Sequence, residues 1–291
     1  MTTKMIAGLV AVLIIFGLSI FGYSVMNPPS TAINSDTTMT PPAPTPQATN
    51  VALLLSDKQS FSSNKTTELT SEDVEYFSGA KGLYVRPKAE GNYPGVVMIH
   101  ENKGLRPEIK MMATELAKEG YQVLAVDLYK GQIAEDQTAA RTLSSSFNQE
   151  EGIKNMQSAV RYLREKGATK IASLGWCFGG KQSVELSISG EKLDATVVYY
   201  GGDMASTVAQ LKPITWPVLG IFGDKDQVIP VEKVTEFESS LKSLGVKTEI
   251  HIYPGVGHAF ANPSGASYAP NETKDAWGKT LNFLNTNLKS V

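Results

Sequence analysis

The sequence predicts an α/β fold in which helices cover both faces of a mostly parallel sheet, and three observations lead to it. From Glu75 onward, short apolar runs alternate with amphipathic runs, the rhythm of strands and crossover helices. The only cysteine lies in Gly175-Trp176-Cys177-Phe178-Gly179, between an apolar run and an amphipathic one. Two further apolar runs end in polar turns, one carrying Asp224 and Asp226 and the other carrying His258 between Gly257 and Ala259.

The elements follow in order. Residues 75–77 and 82–85 suggest a starting hairpin, followed by a strand over 95–100, a helix over 107–118 and a strand over 122–127. After a loop come a helix over 150–166, a strand over 170–176, a helix over 181–189 and strands over 195–200 and 218–222. A helix over 231–244, a strand over 249–253 and a helix over 273–288 complete the alternation. All the chemically suggestive residues then fall at carboxyl ends of strands, where open α/β sheets place their sites.

In a G-x-nucleophile-x-G turn, small residues such as Gly175 and Gly179 let a strand bend sharply into a helix and lift the nucleophile above the sheet. The helix N-terminus favours negative charge at that point. His258 is the strongest base candidate, because an imidazole can be tuned near neutrality. His251 lies inside a strand and is read as packing or solvent-facing, and His100, at a strand end, as structural. Asp226 is the favoured acid, with Asp224 more suited to bracing its turn and Asp203 as the remaining alternative. The order nucleophile, acid, histidine is that of α/β-hydrolases and differs from serine proteases built on other folds.

With these motifs the chain resembles the dienelactone hydrolase family, an α/β-hydrolase branch with a cysteine nucleophile, from about Glu75 to the C-terminus. Val96 to Leu105, Val126-Asp127-Leu128-Tyr129 and Tyr199-Tyr200-Gly201-Gly202 also have counterparts there. The resemblance implies a Cys177, Asp226, His258 triad, with Glu101 taking part in activating the thiol. The oxyanion hole is expected from the backbone N–H groups of Asn102 and Phe178. Arg141, Tyr129, Trp176 and Phe260 are the substrate-binding candidates. One departure stands out. Family members acting on anionic lactones carry an arginine four residues after the catalytic histidine, where this chain has Asn262.

A chain of 291 residues with net charge −2 has no basic footprint for nucleic acid, and its three scattered histidines and single cysteine show no metal-ligand spacing. No cofactor is expected. One cysteine cannot form an intrachain disulfide, so stability does not depend on an oxidising compartment. Residues 5–26 carry no charge and are long enough to cross a hydrocarbon core, so residues 1–26 are read as a transmembrane signal-anchor, with a cleaved signal peptide as the alternative. Lys4 places the remainder outside the cytoplasm, membrane-anchored or, if cleaved, secreted. Residues 27–70, rich in Pro, Thr and Ser, read as a tether in which 51–70 could include a short docking helix, and 71–291 as the hydrolase domain.

The expected activity is hydrolysis of carboxylic esters, with lactones the nearest small-molecule substrate class, by a monomer. A general carboxylesterase or thioesterase is the enzymatic rival, and a catalytically silent binding protein on the same fold is the rival from another class.

Overall fold

The computed structural model describes residues 67–289, and the segments read as anchor and tether lie outside them apart from Thr67–Thr70. An eight-stranded sheet forms the frame, in the order β1-β2-β4-β3-β5-β6-β7-β8. Strands β1 (Leu69–Phe77) and β2 (Ala80–Pro87) form the expected hairpin, and β2 runs antiparallel to β4 (Gln122–Val126). All remaining neighbours are parallel: β3 (Gly95–Ile99), β5 (Ile171–Trp176), β6 (Ala195–Tyr199), β7 (Val218–Gly223) and β8 (Thr248–Tyr253). The chain goes from β3 outward to β4 and then crosses back to β5 on the other side of β3. That reversal opens a crevice above the carboxyl ends of β3 and β5.

Strands β3 to β7 are buried along their whole length, which is why they read as continuous apolar runs instead of alternating ones. Helices α1 (Pro107–Lys118) and α7 (Pro270–Leu284) cover one face, burying Ile109, Leu116, Ala276 and Phe283 in a common core. The other face is covered by α3 (Gln149–Glu165), α4 (Phe178–Ile188) and α6 (Val231–Ser243), through Met156, Val160, Leu186, Phe237 and Leu241. Each of the larger of these side chains contributes about 1.5–3 kcal/mol by leaving water.

Four boundaries differ from expectation. The folded domain begins before residue 71, because β1 starts at Leu69 and pairs it with Pro87. Helix α2 (Gln137–Ser145) occupies what the sequence reads as loop. Only Ala140 of that helix is buried, so no apolar stripe announces it, and it is held by its cap, where Asp136 accepts from the Ala139 N–H at 2.8 Å. A single turn, α5 (Val208–Leu211), is closed by a capping box between Thr207 and Gln210. Helix α4 starts at Phe178, three residues before the amphipathic pattern suggests, because Gly179 and Gly180 carry no apolar signal. Among the described residues no helix is long and apolar enough to cross a membrane.

Candidate active site

Cys177 stands between β5 and α4 with φ +52°, a conformation that L-residues avoid and that costs on the order of 1–3 kcal/mol. Two features hold it there. Its N–H donates to the Tyr199 carbonyl at 3.0 Å, and the glycines on either side allow backbone contacts that no side chain would. A Cβ on Gly175 would collide with the Gly179 carbonyl, and one on Gly179 with the carbonyls of Ile99 and His100. The elbow is therefore wedged between β5 and the end of β3.

The acid and histidine arrive on the next strand ends. Asp226, in the turn after β7, is buried, and its Oδ1 accepts from the N–H groups of Val228 at 2.7 Å and Ile229 at 3.1 Å. Its Oδ2 lies 2.9 Å from His258 Nδ1, and His258 Nε2 lies 3.1 Å from Cys177 Sγ. Three residues separated by up to 81 positions thus form one line of contacts. Burial disfavours charge on the His258 ring, but its bonds to Asp226 and Cys177 and the charges of both outweigh burial, pushing it up to about 10.

The other acidic candidates are engaged elsewhere. Asp224 Oδ1 accepts from the Gly255 N–H at 2.7 Å, bracing the neighbouring loop, and Asp203 pairs with Lys181 at 3.0 Å on the surface. His100 is fully buried; its Nδ1 donates to the Glu101 carbonyl at 2.6 Å, and its Nε2 accepts from the Leu128 N–H at 3.2 Å. Burial lowers its proton affinity, consistent with a neutral ring tying β3 to β4. His251 is partly buried on the edge strand β8.

These groups open into a cavity of about 470 Å³ between α1 and the loop 259–265. Glu101, Asn102, Trp176, Cys177, Tyr200 and His258 line its floor. Glu101 carries a shielded carboxyl: Oε2 accepts from Asn262 Nδ2, while Oε1 is sealed from solvent without a partner. Burial pushes this carboxyl up to about 7 against the opposing pull of His258 and Asn262. The main-chain N–H of Phe178 is in the first turn of α4, where it has no intrahelical partner, and Asn102 follows β3 on the facing side. Such an arrangement can polarise a carbonyl placed above the sulfur.

Arg141 and Trp176 both line the cavity, Arg141 from α2 at its rim. Tyr129 and Phe260 do not. Phe260 is fully buried beside Tyr200 and Tyr253, so it packs the core and cannot meet a substrate. Tyr129 is buried in an aromatic cluster with His100, Phe147 and Phe178 and borders a separate pocket of about 180 Å³. Ala259 and Ala261, on either side of Phe260, line the cavity while the Phe260 ring itself points into the packing.

Sequence reasoning missed the α1 wall and Tyr200. Glu108, Met111, Met112 and Glu115 all face the cavity at i, i+3, i+4, i+7 spacing, a helix stripe that could have marked a second functional face beside the core stripe of Ile109, Ala113, Leu116 and Ala117.

Residues 80–288 match the sequence profile of the dienelactone hydrolase family. A provisionally named carboxymethylenebutenolidase of Saccharolobus solfataricus is 29% identical over 254 residues, spanning 73% of this chain and 98% of its own. A Bradyrhizobium protein provisionally named as a lactonase of 2-oxo-3-(5-oxofuran-2-ylidene)propanoate is 28% identical, spanning 70% of this chain and 88% of its own. Among solved structures, a provisionally named dienelactone hydrolase of Klebsiella pneumoniae superposes with TM-score 0.67 at 25% identity, over 75% of this chain and 98% of its own.

Proposed function

Because this chain belongs to the dienelactone hydrolase family, we propose that it hydrolyses carboxylic esters, lactones foremost, through a Cys177 acyl-enzyme. The observation that carries the reading is the unbroken line from Asp226 Oδ2 to His258 Nδ1, 2.9 Å, and from His258 Nε2 to Cys177 Sγ, 3.1 Å, at the floor of a cavity. In this reading His258 holds the thiol proton and the sulfur attacks the carbonyl carbon. The C–S bond forms, and the carbonyl oxygen takes the negative charge and accepts from the N–H groups of Phe178 and Asn102. His258 then gives its proton to the departing alkoxide as the ester C–O bond breaks. In the second half, His258 takes a proton from water, the hydroxide attacks the thioester, and the sulfur leaves and regains the proton. Asp226 stays ionised and orients the ring throughout.

The names of the relatives support lactones as the substrate class. A broader ester range is the second reading, favoured by the apolar side chains Ile109, Met111 and Met112 and by a neutral Asn262 at the cavity wall. The test is turnover of purified protein on matched lactones and acyclic esters, with mass spectrometry after rapid quenching. An acyl adduct on Cys177 supports the mechanism, and turnover with no adduct and no loss on thiol alkylation refutes it.

The uncharged run over residues 5–26 further supports an N-terminal anchor with the hydrolase domain outside the cytoplasm. Retention of the full chain in membranes after a high-salt wash, with release by external protease, would bear this out; a mature chain starting near Asn27 and free in solution would refute it.

A further inference from the structure

Three buried side-chain polar atoms among the described residues lack a hydrogen-bond partner, and two of them border the same cavity: Glu101 Oε1 and the Tyr200 hydroxyl. An orphaned buried hydroxyl is destabilising, which points to a partner that it meets in another protonation state of the site. The backbone of Tyr200 adds a second observation. It follows the last residue of β6 with φ +36°, a left-handed conformation that a tyrosine adopts only when its surroundings impose it. Its N–H is fixed to the Ile221 carbonyl at 2.8 Å, and its ring stands edge-on to His258, centroids 5.3 Å apart, and to Phe260 at 5.7 Å. Strain and packing together fix a fully buried ring in a residue that lines the cavity.

We infer that Tyr200 is a positioning residue for Glu101: when Glu101 is ionised, the Tyr200 hydroxyl donates to its free Oε1 while Asn262 donates to Oε2, clamping the carboxylate beside Cys177. This rests on the reading that Glu101 works with Cys177. A donor on each oxygen fixes both position and plane of the carboxylate, whereas Asn262 alone leaves it free to turn about one bond. The charge also has few other supports. His258 and Lys103 favour it, Glu108 on α1 opposes it, and the enclosure of the carboxyl works against it. Burial, and after it the charges of Glu101 and Cys177, hold the Tyr200 hydroxyl well above its ordinary range, so it keeps the proton that it donates.

The test uses the full chain and the pH dependence of Cys177 alkylation by iodoacetamide, a readout that needs no substrate. Wild type should show an inflection that Glu101→Gln abolishes. In Tyr200→Phe that inflection should persist but move upward by about one pH unit, a tenfold gain in proton affinity, because a donor to the charged form has been removed. In the double variant the profile should match Glu101→Gln alone. A Tyr200→Phe profile superimposable on wild type overturns the inference, as does an equal shift in the Glu101→Gln background or an inflection that survives in Glu101→Gln. Ester turnover is measured in parallel: its absence in wild type defeats the proposed function and leaves the alkylation result interpretable. Tyr200→Phe keeps the ring and removes only the hydroxyl, so below the inflection, where Glu101 carries its proton, its melting temperature should be no lower than that of wild type.

Discussion

On one side of the cavity Asp226, His258 and Cys177 form a closed set, each polar atom bonded to the next or to a backbone N–H. On the other, Glu101 keeps one carboxylate oxygen without a partner and Tyr200 its hydroxyl. The first arrangement is complete before any ligand arrives. Its geometry is held by strand ends, buried turns and the strained elbow, so the proposed mechanism would need little reorganisation as charge develops. The second stores unmet bonding capacity in a region that packing has shielded. A site of this kind separates the group that must be fixed from the groups that are free to change partners.

Substitutions can break the comparison at its most complete point. Cys177→Ala should lower kcat by about 10⁴ to 10⁶ while the chain stays folded, since the bond lost is the one to His258 within the site. Activity persisting in that variant would remove the premise that the closed side does the chemistry. The acid comes next. Asp226→Ala should cost about 10³ to 10⁴ in kcat, whereas Asp224→Ala, which loses only the brace to Gly255, should cost less than tenfold. The reverse ranking between two folded variants would show that the buried position of Asp226 had been misread.

Stability measured against pH sharpens the contrast from the other side. Burial raises the proton affinity of Glu101 from its ordinary 4.5 to about 7, so the folded chain holds a proton that the unfolded chain releases between those values. Folding stability attributable to this group is therefore present in acid, declines as pH rises from 4.5 to 7, and stays lower above that. Glu101→Gln should match wild type near pH 4 and be more stable at pH 8 by up to about 3 kcal/mol, read from chemical denaturation at the two pH values. Equal stability at pH 8 would mean that Glu101 is better solvated than its surroundings suggest. The smallest expected effect lies at the rim. Arg141→Ala should reduce preference for a carboxylate-bearing lactone over its neutral analogue by about tenfold in kcat/KM, the lower end of what one charged hydrogen bond contributes. An unchanged preference would exclude Arg141 from substrate selection.

The closed side was legible because its signals are local. Gly175 and Gly179 flank Cys177 within five residues, Asp226 follows an apolar strand within four, and His258 has glycine before it, so each strand-end motif carries its own context. Chain order then joined three weak motifs into one. The sheet was equally readable, since strands buried on both faces appear as unbroken apolar runs. Helix α2 was not, because it buries a single alanine and depends on the Asp136 cap.

What the sequence by itself determined is thus the α/β class, the elbow and the identity of the three linearly ordered residues, all properties of short segments whose conformational preferences are set by neighbours along the chain. Only the tertiary structure decided which side chains share the cavity. Tyr129 and Phe260 sit beside site motifs and turn into the core, while Met111 and Met112 from α1 and Tyr200 from the end of β6 line the same cavity as Cys177. The pairing of Glu101 with Asn262 across 161 residues, and the orphaned hydroxyl of Tyr200 in the same wall, follow from how helices and loops pack over the sheet. Burial, and with it the cost of an unpaired oxygen or a charged carboxylate, is a property of the assembled fold that no residue carries alone.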